Sequence, residues 1–123
     1  MRESRLVSIA ADAVAAAQRE LPPKVREAAR GVPVLFEAAP GEDVLSEGFE
    51  PDLLGLFTGS PLGTEFSGEI PEAPRIILYT ANLWDHAGRD PGAYRAEARL
   101  TYLHELGHFL GWNEDQVSAR GLD

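Results

Sequence analysis

The stretch RDPGAYRAEARLTYLHELGHFLG, Arg89 to Gly111, constrains the fold more than any other, because it reads as one long helix with both ends marked. Asp90 is placed to accept a hydrogen bond from the first turn as N-cap, and Pro91 suits the first helical position, where a missing N–H costs nothing. Gly111 can take the left-handed conformation that ends a helix. At about 100° per residue, Ala96, Leu103, Leu106 and Leu110 share a stripe that should face the core. His104 and His108 fall about 40° apart on a roughly opposite face, which turns them toward a groove or solvent. A glycine inside a helix costs about 1 kcal/mol relative to alanine, so Gly107 predicts close backbone packing beneath that segment.

The rest of the chain must supply what this helix packs on. With 123 residues, residues 1–123 are expected to form a single domain with one modest core. Leu6, Ala10, Ala13, Ala17 and Leu21 recur at helical spacing, and that first helix ends near Leu21 because Pro22 and Pro23 cannot continue it. KVREAAR reads as a short second helix that starts from those prolines and stops at Gly31. Three β-like runs follow, Val32–Glu37, Leu53–Gly59 and Arg75–Thr80, each bounded by Gly, Pro or acidic residues. They are too short for a barrel. The segment SPLGTEFSGEIPEAP between the second and third is longer than a hairpin needs, so it is either the rim of a cleft or variable surface. The expected fold class is α+β, with helices packed on one face of a small three-stranded sheet.

Within the long helix, HELGH sets His104 and His108 one turn apart, so both imidazoles can reach one tetrahedral zinc. Glu105 is rotated by about 100° from His104, so it does not ligate but can act as general base toward a metal-activated water. Two histidines do not finish a catalytic site, which takes a third protein ligand and keeps one position open. The chain has no cysteine, so that ligand is a histidine or a carboxylate. Only fifteen residues follow His108, too few for a ligand on a later helix. The candidates are Glu114, Asp115 and, less readily, Asp123 at the terminus. In the pattern His-Glu-x-x-His-x-x-Gly-x-x-His the third ligand stands ten residues after the first histidine. Glu114 holds that offset and has the longer reach, so it is preferred over Asp115, which can instead hold a ligand histidine from behind.

HELGHFLGWNEDQV, together with LLGLFTGSPL, PRIILY and LPPKVREAARGVPVLFE, resembles the minimal-zincin family of small bacterial zinc metallopeptidases, which are related to metzincins but lack most of their bulk. The resemblance runs over nearly the whole chain. It implies a zincin-like α+β fold with a small mixed sheet beside the active-site helix, zinc held by His104, His108 and the acid at Glu114, and Glu105 as catalytic base. Phe109 and Gln116 stand where the pattern often has a further histidine and a further acid. The only methionine is Met1, so the methionine turn of metzincins is missing. The resemblance also marks LLGLFTG as an edge to which an extended substrate can add as a strand, with Gly55 leaving the backbone open to approach. A core strand with a packing glycine is the competing reading. Tyr79, Tyr94 and His86 are the aromatic or imidazole candidates for an oxyanion donor, though each reads more simply as structural or exposed. Trp84 and Trp112 read as core or cleft wall.

The function expected from these residues is a zinc-dependent metallopeptidase acting on a peptide or protein substrate. The alternative is a non-catalytic, zinc-containing module that binds a peptide or a protein. A net charge of −9 repels phosphate and anionic lipid, so neither nucleic acid nor membrane is an expected partner. Metal-dependent RNA hydrolysis is set aside on the same charge, and because the related ribosomal-RNA endonuclease pattern has neither the glutamate after its first histidine nor an acid at its last position. Asp12 interrupts LVSIAADAVAAA, and no apolar run approaches the length of a bilayer span, so a cytoplasmic location is expected.

Overall fold

The computed structural model describes residues 1–63 and 72–112. In chain order the elements are α1 (Glu3–Arg19), α2 (Pro23–Ala29), β1 (Val34–Glu37), α3 (Glu42–Leu45), β2 (Gly55–Thr58), β3 (Arg75–Tyr79), α4 (Thr80–His86) and α5 (Pro91–Phe109). The three strands form one sheet in the order β1-β3-β2. β1 runs parallel to β3 and β2 antiparallel to it, so the sheet is mixed, and among the described residues both β1 and β2 are edges. This is an α+β fold with helices packed on a small mixed three-stranded sheet, as the sequence predicts.

Alternation along β3 divides the buried side chains between two faces. Ile76 and Leu78 join the main core with α1, α4 and α5, while Ile77 and Tyr79 join Val44 and Leu56 in a smaller cluster on the other face. α1 buries Leu6, Ala10, Ala13, Val14 and Ala17, and this largely alanine face admits α5 closely. Two long-range bonds pin that pairing: Tyr94 Oη donates to the Leu6 carbonyl at 2.7 Å, and Gln18 Nε2 donates to Tyr102 Oη at 3.1 Å. Tyr94 also meets Trp84 edge to face at a centroid distance of 5.7 Å, which places α4 in the same core.

Three features depart from the sequence reading. The third strand stops at Tyr79, and Thr80 instead opens α4, its hydroxyl donating to the Glu3 carboxylate and to the Glu37 carbonyl. The four-residue α3 was not anticipated. On α5 the core-facing row is Tyr94, Ala98, Tyr102 and Leu106, flanked by Leu103, whereas Ala96 is exposed. Two tyrosines and a leucine bury far more apolar area than one alanine, and they turn the helix by roughly 100° from the expected stripe. His104 and His108 therefore flank the core-facing row, about a third of a turn away, instead of standing opposite it. No helix among the described residues is long and apolar enough to cross a membrane.

Candidate metal centre

Both ends of α5 are built as the sequence indicates, and they hold the histidine pair in place. Asp90 Oδ2 accepts the Ala93 N–H at 2.8 Å, an N-cap worth about 1 kcal/mol. At the other end Gly111 sits at φ 78°. The Gly111 N–H reaches the His108 carbonyl and the Trp112 N–H reaches the Gly107 carbonyl, each at 3.0 Å. These bonds satisfy carbonyls of the last helical turn, and the left-handed Gly111 ends the helix three residues after His108. Gly107 is buried, in line with the packing expected of it.

His104 and His108 stack one turn apart, with ring centroids 4.7 Å apart and planes inclined at 69°. Both are partly exposed, while Glu105 between them is buried, with 9% of its surface exposed. One donor atom each from His104, Glu105 and His108 can be chosen so that all three lie within 4.8 Å of one another. Glu105 Oε1 accepts the backbone N–H of Phe57 at 2.8 Å and lies 3.5 Å from His108 Nδ1. The carboxylate is thus bracketed by the edge strand on one side and a histidine on the other.

His104 and Glu105 line a cleft of about 470 Å³ between α5 and β2, walled also by Leu53, Leu54, Gly55, Leu100 and Thr101, and His108 stands beside Glu105 at its margin. Gly55 allows the close approach of β2 to α5, since a Cβ there would meet Thr101 Cγ2 at 2.5 Å. Of the two readings of LLGLFTG the structure supports a part of each: β2 is an edge strand among the described residues rather than a core strand, and Gly55 is a packing glycine that lets the strand lie against α5.

The two imidazoles suit zinc, because they supply borderline nitrogen ligands one turn apart, and the Glu105 carboxylate stands beside them where a base is needed. Glu114, the preferred third ligand, lies outside the described residues, as do Asp115 and Asp123. The oxyanion candidates are not in the cleft. Tyr94 is committed to Leu6, and Tyr79 is buried on the far face of the sheet, where burial first and then Glu37 and Asp43 push its phenol pKa up. His86 is at the end of α4, 3.8 Å from Glu97. Trp84 and Trp112 are half-buried against the main core. What sequence reading missed is the Phe57 N–H, a backbone group that no residue type announces.

A sequence model of a protein family described as Zincin-like metallopeptidase matches residues 29–122, which takes in β1, the cleft and all of HELGHFLGWNED. No curated protein matches the chain.

Proposed function

The chain belongs to the zincin-like metallopeptidase family, and from that membership we infer that it is a zinc-dependent peptidase in which Glu105 is the general base. The observation that carries this reading is the convergence of His104, Glu105 and His108 beside a cleft that His104 and Glu105 line, next to a strand that is an edge among the described residues. His104 and His108 would hold the metal, with Glu114 as the third ligand. When bound, zinc supplies Lewis acidity, polarising a carbonyl and bringing the pKa of water from about 15.7 toward about 7.

The chain's own residues do the rest. Glu105 takes the proton of the attacking water and returns it to the leaving amine, and its burial beside Leu100 and Leu54 keeps competing bulk water away from the carboxylate. An extended peptide would add along the outer edge of β2 and present its carbonyl over the histidines. The acidic surface supports a peptide or protein substrate rather than a nucleic acid.

Glu105→Ala is the direct test. The variant should keep about one zinc per chain while losing hydrolysis of a peptide library that the wild-type protein cleaves. Hydrolysis that survives the substitution removes Glu105 as the base. Zinc bound by a wild-type protein that cleaves nothing would instead favour the non-catalytic binding module.

A further inference from the structure

We propose that the backbone N–H of Phe57 is a positioning group for Glu105, so that the strand edge offered to a substrate also orients the base. The proposal rests on the reading of Glu105 as general base. Its geometry starts from the register of β2 on β3. The Tyr79 N–H bonds the Leu54 carbonyl at 3.0 Å, which makes residues 54 and 79 a hydrogen-bonded pair. Alternation then points the Leu56 and Thr58 groups at β3 and the Gly55 and Phe57 groups outward. Ile76, opposite Phe57, agrees: its N–H goes to Pro33 of the other edge at 3.0 Å.

An outward N–H on an edge strand ordinarily goes to water or to an added chain. At Phe57 it goes to Glu105 Oε1 at 2.8 Å, across 48 residues of sequence. A charge-assisted bond of this kind is about twice as strong as a neutral one. It fixes one carboxylate oxygen and with it the orientation of the carboxylate. It also restricts the substrate. A peptide strand added to β2 finds the N–H and C=O of Gly55 and the C=O of Phe57, but not the Phe57 N–H. The register of the bound peptide is thereby set by the same bond that aims the base.

Two measurements test this, and the first does not need activity. In zinc-loaded protein labelled with [¹⁵N]phenylalanine, Glu105→Ala should move the Phe57 amide proton upfield and remove its protection from exchange. An unchanged Phe57 amide overturns the proposal.

The second measurement removes the donor. Phe57→Pro deletes an N–H that takes no part in the ladder, at an edge position where proline is tolerated. It should retain zinc and lower kcat by about 10–100-fold, the usual effect of losing a supporting partner, with KM little changed. Phe57→Leu, which keeps the N–H and loses the ring contact with Phe109, measures what the side chain alone contributes, and Phe57→Pro should fall well below it in kcat. A Phe57→Pro protein that binds zinc and turns over like Phe57→Leu overturns the proposal, and if that variant does not fold the amide measurement decides. A wild-type protein without hydrolysis defeats the peptidase reading, while the amide shift still reports whether the strand holds Glu105.

Discussion

Gly55 on β2 and Thr101 on α5 leave no room for a side chain between them: a Cβ at Gly55 would stand 2.5 Å from Thr101 Cγ2 and 3.2 Å from the Ile77 carbonyl oxygen. This contact sets the distance between helix and strand, and with it the reach of Glu105 to the Phe57 N–H two residues along the strand. Gly55→Ala should destabilise the fold by about 1–3 kcal/mol, the usual range for overpacking. Thr101→Ala in the same chain removes the offending methyl and should recover part of that loss. Urea unfolding of the single and double variants measures both, and a Gly55→Ala protein as stable as wild type would show that strand and helix separate freely.

The third ligand is decided by affinity. Losing a supporting residue lowers metal affinity by about 10–100-fold, and losing a ligand should lower it further. Zinc competition titrations should therefore find Glu114→Ala weaker than Asp115→Ala. The reverse order would move the ligand to Asp115.

Zinc should also act on stability. A metal that binds only the folded chain adds about 2.7 kcal/mol at a hundred times its Kd. Thermal unfolding should shift upward with zinc and return with a chelator, and His104→Ala or His108→Ala should abolish the shift. A wild-type midpoint indifferent to zinc ends the metal assignment.

High pH should unfold the protein cooperatively. Burial is the first cause raising the phenol pKa values of Tyr79, Tyr94 and Tyr102 above the usual value near 10. In the unfolded chain these phenols ionise near pH 10, while in the folded chain they hold their protons longer. The stabilising contribution is therefore complete below about pH 10 and is lost as pH rises beyond it. Phenolate absorbance and loss of helical circular dichroism should rise together. Absorbance that appears for all three tyrosines while the helices persist would contradict their burial.

Local signals made much of the fold legible before any packing was known. The prolines at 22 and 23 separate α1 from α2, Asp90 and Pro91 start α5, and Gly111 ends it, each by a backbone restriction that acts within a few residues. α4 was not legible, because it begins without a capping side-chain bond and directly continues a strand. The face of α5 was misjudged for a related reason. Ala96 and Tyr94 both fit a periodic stripe, and the choice between them depends on α1 and α4, which receive Tyr94 through Leu6 and Trp84.

The sequence by itself determined the helix ends and the one-turn spacing that sets His104, Glu105 and His108 on neighbouring faces, since both follow from local backbone geometry. Only the tertiary structure decided what Glu105 faces. Among the described residues the order β1-β3-β2 leaves the Phe57 N–H on an outer edge, and Gly55 brings that edge against α5. A main-chain N–H is the same at every residue but proline, so its role comes from register and packing across the fold, which no spacing of residue types records.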